Sequence, residues 1–387
     1  MSSSSITSMD PADLPGCDPD LPALTGTHFT PGGEFTVGAE EELLLVGPRD
    51  QLLPTAHRDV VEAVQARPPR TGAVTKELFG SEIEYATAVC ADGDQVARSL
   101  GDFRSALHRA GGRGMAVGLH PDGAVGDTHL TPTARYQHIG ASLAGLLRTP
   151  TAALQVHVGL PDAETAITSY RGLRNRLSLL SALAAGSPYW HGRDSGFASA
   201  RWAVISAYPH GGVPPRVRSW EEYVAVTEAV AAAAELPDYT YVWWNLRVQP
   251  RLGTIEVRVM DARPSLDEAA GLTTLIQGLA RHAAERPIAV DLPGEVLATN
   301  DFRAARDGLE ARVVDVDGAL RPMRQLAFDA LQDARAVLSA DGLEGPLEGV
   351  ERLLAGEPEY ERQRRLHARQ GMPAVLSDLA DRTMRGW

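Results

Sequence analysis

Lysine and cysteine are nearly missing from this sequence. Lys76 is the single lysine among 37 basic residues, so the other 36 are arginine, and any lysine chemistry must use Lys76. With the high Ala and Gly content, that bias is the mark of a GC-rich genome and implies little about function. Cys17 and Cys90 are the only cysteines, one near the N-terminus and one ending an apolar stretch, so a structural disulfide is not expected and a reducing compartment is. Positive charge is in deficit, 37 basic against 50 acidic residues and a net charge of −13, which argues against nonspecific nucleic-acid binding. No apolar run approaches membrane-spanning length, so no membrane partner is expected. The opening MSSSSITSMDPADLPGCDPD lacks the basic start and apolar core of a signal peptide, and the expected location is cytoplasmic. No Walker loop, dinucleotide-binding glycine fingerprint or nucleophile elbow appears, nor any of the softer zinc ligand sets.

What is present begins at Gly38–Val46, GAEEELLLV, three glutamates inside an apolar run that reads as a buried strand. Strand side chains alternate faces, which puts Glu40 and Glu42 on one side and Ala39, Leu43 and Leu45 on the other, with Glu41 as the odd acid on the apolar side. A pair of carboxylates two residues apart can grip a hard cation, but it can equally be the solvated face of an antiparallel strand. Glu41 reads either as a buried, paired acid or as a functional one.

Four more segments repeat the pattern. Glu82 and Glu84 alternate with Ile83 and Tyr85, Gln155 and His157 with Val156 and Val158, Asn245 and Arg247 with Leu246 and Val248, and Glu256 and Arg258 with Val257 and Val259. A merely wet sheet face should carry Thr, Ser and Lys, so acids, His and Arg on five strands suggest one functional wall. Helices would cover the apolar back, giving an α+β fold with an open, curved antiparallel sheet. Residues 1–33, rich in Ser, Pro, Asp and Gly, read as a disordered tail, and 34–387 as one domain. Helices are expected at about 59–65, around Val96–Leu107, in one long stretch from Ala163 to Ala185, and through most of the chain after Asn300; MAVGLHP at 115–121 reads as a short strand. Trp190, Trp243 and Trp244 read as core.

Hard oxygen ligands select Mg²⁺ or Mn²⁺, and magnesium held by few carboxylates usually shares its sphere with phosphates. Arginines stabilise a transferring phosphoryl group. ATP-dependent activation of a substrate is therefore the leading chemistry.

The sequence resembles the carboxylate–amine ligases of the glutamate–cysteine ligase type 2 family. GAEEELLLV is similar to that family's G-V-E-E-E-F, QVHVGLP to H-V-H-V-G-V-P, GSPYWHGRDSGFASAR to N-S-P-F-W-x-G-x-D-T-G-F-A-S-x-R, and WNLRVQPRLGTIEVRVMD to W-D-V-R-x-x-P-R-x-x-T-L-E-V-R-V-x-D. SEIEYAT, LHP and NDFRAARDGLEARVVD continue the matches in order, from about Phe35 to Arg382. The resemblance implies a glutamine-synthetase-like catalytic domain, ATP and two or more Mg²⁺ (or Mn²⁺) ions. It implies an amino-acid carboxylate, glutamate by default, activated as an acyl phosphate and joined to a small amine. By that resemblance Glu40, Glu42, Glu84 and Glu256 are metal or phosphate ligands, and His157 a metal ligand or phosphate contact. Arg258 and Arg247 would face carboxylate or phosphate, and Arg193, Asp194, Ser199 and Arg201 would form a loop over the site. Gln155 and Asn245 stand where the family has His and Asp. Those departures keep one alternative open, a nucleotide-binding regulatory protein without turnover, and the implied fold leaves another, a phosphagen-type kinase. Assembly into a homo-oligomer is also expected. Glu256→Gln is expected to fold normally and lose turnover, because its side chain leaves the apolar face.

Overall fold

The computed structural model describes residues 28–385, apart from 56, 124, 125 and 127. Most of the expected tail, with Cys17, lies outside the described residues. Residues 28–33 depart from the tail expectation: the Thr30 and Gly32 amides donate to the carbonyls of Pro250 and Leu160, and Phe29 packs on the core.

The main sheet has seven strands, β1 (Val37–Leu45), β2 (Gly72–Lys76), β3 (Glu82–Thr87), β4 (Gly114–Met115), β5 (Ala153–Gly159), β6 (Leu246–Gln249) and β7 (Thr254–Asp261). Their order is β6-β7-β5-β1-β3-β2, with β4 pairing the end of β1 beyond β5, and every pairing is antiparallel. The sheet is open, as expected. A register shift between Val257 and Met260 marks a bulge, which bends its strand.

The apolar face packs on helices. Ala39, Leu43, Ile83, Val156 and Val257 share one core with Leu272, Leu275, Ile276 and Leu279 of a central helix, Leu266–Glu285. That helix contacts Gly93–Arg109, Ala163–Arg174 and Met323–Leu338. In Gly93–Arg109, Val96, Leu100, Phe103 and Leu107 recur at helical spacing, and Asp92 caps the start by accepting from the Gln95 amide at 2.8 Å. Glu41 reaches this side too, and it is a paired buried acid. Arg104 holds both its oxygens, at 3.1 and 2.5 Å, and spends its remaining donors on the carbonyls of Arg263, Pro264 and Thr383.

Three local expectations are corrected. The helix expected from Ala163 to Ala185 breaks at Asn175, whose side-chain amide donates to the Val290 carbonyl and accepts from the Leu292 amide, so the second half starts at Leu177. Of 115–121, only Met115 stays in the sheet; the next amide, Ala116, turns to the Thr383 hydroxyl at 2.9 Å. The strand β2 was not anticipated, because GAVTK is too short for its alternation to stand out.

Candidate active site

Directly opposed residues in an antiparallel ladder point to the same face. The register therefore aligns Arg247, Glu256, His157 and Gly38 in one row across β6, β7, β5 and β1. Gln155 and Glu40 form a second row, and Thr75, Glu84 and Glu42 a third. Five strands do carry one polar wall.

Among the described residues two groups on it could hold a cation, Glu40 with His157 and Glu256, and Glu42 with Glu77 and Glu84. Within each group the ligand atoms lie within 4.8 Å of one another. In the first, the Thr254 hydroxyl fixes His157 Nδ1 at 2.9 Å, and Nε2 is left buried with no hydrogen bond, 3.3 Å from Glu40 Oε1. A partner on one ring nitrogen and an open second nitrogen is how a metal-ligating histidine is oriented. Burial works against charge on both residues. The Glu40 contact and the charge of Glu256 nevertheless raise the His157 pKa, and His157 with Arg258 holds Glu40 below the usual carboxylate range.

Glu256 is fully buried. Arg247 grips it through Nε at 2.5 Å and Nη2 at 3.1 Å, Gln249 donates at 2.6 Å, and Arg258 closes on Oε1. Burial opposes its charge, but Arg247 and Arg258 outweigh it and hold the carboxyl well below its ordinary value. The expectation that Glu256→Gln would leave folding untouched is corrected here: the residue points away from the apolar core, yet it is the counter-charge for two buried guanidiniums.

The second group has the opposite electrostatics. Burial and the charges of Glu40 and Glu42 push the Glu84 carboxyl up to about 8. Burial, Glu84 and Glu42 raise Glu77 well above its ordinary value, and burial raises Glu42 despite Arg201 and Arg258. The ligands themselves are held: Gln155 donates to Glu42 at 2.5 Å, the Ala153 amide at 2.8 Å, and Thr75 to Glu84 at 2.6 Å. Gln155 thus positions an acid. Three oxygen ligands drawn together against their own repulsion fit a hard dication, as do the open His157 nitrogen and its two acids beside them.

Sequence reasoning missed Glu77. It follows β2, two residues beyond Thr75, and the unnoticed Thr75–Glu77 alternation opposite Glu84 was the one signal available.

Glu42, Glu77 and Glu84 open with Glu40 into one cavity of ≈ 340 Å³, which Arg201, Arg247 and Arg258 also line, while His157 lines a neighbouring groove that shares Glu40. Arg201 is buried, with Nε unpaired and Nη1 and Nη2 at 3.4 Å from the Val259 and Arg258 carbonyls. Three loop residues do not come to the cavity. Arg193 is exposed on the hairpin of Tyr189–Trp190 and Arg193–Asp194, and its neighbour Asp194 is held away by Arg364 at 2.9 and 3.0 Å. Ser199 is buried against Asp261, donating at 2.9 Å, and so braces the loop behind Arg201. Trp243, expected in the core, is only partly buried and lines the cavity.

The open antiparallel sheet and its helices are a fold shared with solved ligases. A glutamate–cysteine ligase from Francisella tularensis, solved in complex with AMP, superposes with a TM-score of 0.68 over 93% of this chain and 89% of that one. A bifunctional glutathione synthetase from Pasteurella multocida does so at 0.66, over 91% of this chain and 52% of that one. At 12% and 15% identity these likenesses are of fold. The chain belongs to glutamate–cysteine ligase family 2 (GCS2), which it matches over residues 36–375. A relative from Rubrobacter xylanophilus, named "Putative glutamate--cysteine ligase 2-3", is 34% identical over 92% of this chain and 99% of its own length. One from Thermobifida fusca, named "Putative glutamate--cysteine ligase 2", is 32% identical over 92% and 91%.

Proposed function

We propose that this protein is an ATP-dependent carboxylate–amine ligase that uses Mg²⁺ or Mn²⁺ and releases ADP. The observation that carries the reading is the pair of groups that could each hold a cation, Glu40–His157–Glu256 and Glu42–Glu77–Glu84, the second lining one cavity together with Glu40 and three arginines. Bound dications would neutralise phosphate charge and bridge it to the wall. The chain's own part is placement. Thr254 orients His157, Gln155 orients Glu42, and Thr75 orients Glu84. Arg201, with its unpaired Nε, is suited to the donor carboxylate or the phosphoryl group in transit.

The donor carboxylate, glutamate by default, attacks the γ-phosphorus; the new O–P bond forms as the bond to ADP breaks with its electron pair. The amine nitrogen then attacks the acyl carbon, phosphate leaves with the C–O pair, and the nitrogen loses a proton to a cavity carboxylate. Gln155 supports turnover over a binding-only role, since it serves Glu42 rather than replacing a ligand.

Hydroxylamine traps an activated carboxyl as a hydroxamate whatever the natural amine. With Mg·ATP and glutamate, the protein should yield hydroxamate, ADP and phosphate in equal amounts. AMP and pyrophosphate in place of ADP would overturn the acyl-phosphate route, and a phosphorylated amine without hydroxamate would make it a kinase.

A further inference from the structure

The cavity has two unlike halves. The sheet supplies most of the acids with Arg247 and Arg258, and the remaining lining is largely apolar, Phe79, Tyr136, Ile139, Ile205, Tyr208 and Trp243, with Arg135 and Arg201 from two helices. Phe79 and Ile139 belong to a small apolar cluster separate from the main core, against which Tyr136, Tyr208 and Trp243 lie only partly buried. Tyr208 and Trp243 meet edge to face, centroids 6.0 Å apart at 65°, and the Tyr136 hydroxyl is occupied by the Lys76 carbonyl at 2.9 Å. Tyr136 thus offers a ligand ring surface, and Tyr208 and Trp243 add theirs, beside the carboxyl groups of Glu77, Glu82 and Glu84.

We propose that the acceptor substrate is an amine bearing an aromatic or branched hydrocarbon group, its nitrogen at Glu82, the cavity acid outside the two cation groups, and its apolar part against Tyr136, Tyr208 and Trp243. This rests on the ligase reading above. Glu82 offers the amine nitrogen a hydrogen-bonding partner, and an apolar tail removes water from the rings. A small polar acceptor would leave that wall wet. The adenine of ATP is the rival occupant, but a second groove of ≈ 270 Å³ lies across Glu40 from this chamber, lined by Gly38, Gly159, Val89, Leu252 and His157. Glu40 borders both spaces. Nucleotide on one side and carboxyl and amine on the other is the arrangement an in-line transfer requires, since the attacking and leaving oxygens oppose each other.

The experiment compares acceptors in the full-length protein with Mg·ATP and glutamate, using phenethylamine, isobutylamine, phenylalanine, cysteine and ammonia, with hydroxylamine as the acceptor-independent reference. The expected result is amide formation with an apolar amine at a kcat/KM at least tenfold above cysteine and ammonia. In Trp243→Ala, the ratio of apolar-amine to hydroxylamine kcat/KM should fall at least tenfold, with Trp243→Phe restoring most of it. Hydroxamate formation with cysteine or ammonia preferred would overturn this proposal and leave the ligase reading standing. Apolar amines acting as competitors of ATP would likewise overturn it, by giving the chamber to the base. No hydroxamate at all would sink both readings together.

Discussion

Glu42 and Glu84 stand directly opposite each other across the ladder of β1 and β3, two carboxylates on one face with Glu77 beside them. Like charges so placed destabilise a sheet. The fold keeps them together through hydrogen bonds from Gln155, the Ala153 amide and Thr75. A site built against its own electrostatics has measurable consequences with and without a cation.

Stability of the cation-free protein should fall as pH rises. Glu84 is pushed up to about 8 in the folded state from an ordinary value of 4.5, so between these limits the folded state binds the extra proton. That contribution is fully present below about pH 4.5 and is lost as pH climbs through about 8. Thermal melts in EDTA should show the midpoint declining across this window, and Mg²⁺ should raise it more at pH 8 than at pH 5.5, because metal and proton compete for the same oxygens. An equal Mg²⁺ increment at both values would place the ion elsewhere.

Glu84→Gln should separate stability from activity. Removing one of three crowded charges is expected to raise the melting temperature in EDTA and to abolish most of the Mg²⁺-induced increment. Ligase turnover should drop about a hundredfold or more, roughly 2.7 kcal/mol of barrier. Calorimetric melts and an ADP-release assay on the same preparation test both halves.

Glu256→Gln should damage both properties. Arg247 and Arg258 would lose their shared counter-charge inside the protein, and breaking a buried pair costs about 3–5 kcal/mol. Chemical denaturation should show that loss, and turnover should fall by about two orders of magnitude or more at saturating Mg·ATP. Wild-type stability would mean that water reaches the two guanidiniums.

Arg104→Met provides the contrast on the other face. It strands Glu41 in the helical core, far in role from the polar wall, with an expected cost of about 3–5 kcal/mol. KM values for ATP and glutamate, measured well below the lowered melting temperature, should remain near wild type. A selective rise in either KM would tie the pair to the site.

Arg193→Ala should leave kcat/KM within about twofold of wild type, in the range of ordinary surface changes. Its exposed place outside the cavity is the reason. A tenfold or larger loss would show that the Tyr189–Asp194 hairpin folds over the site during turnover.

Alternation along single strands was enough to foresee the polar wall. Glu40, Glu42, Glu84, His157, Glu256 and Arg258 were legible because a strand's period of two sends every second side chain to one face, whatever the neighbours do. The same rule placed Glu41 on the apolar side, where it meets Arg104. The ordered likeness of the segments to a ligase family carried the fold with it. Local sequence could not reveal which carboxylates crowd together, since Glu77 enters its group only through the β2–β3 pairing and the turn after it. Nor could it distinguish an acid facing a void from one enclosed by arginines, as Glu84 and Glu256 do on one wall. Tyr136, Tyr208 and Trp243 are separated by dozens of residues and share a chamber only because a helix, a turn and a short strand from three parts of the chain converge. Facing direction is a property of the backbone's local geometry, and so it is written in the sequence; pairing, enclosure and the shape of the cavity depend on contacts between distant segments, which the tertiary structure alone decides.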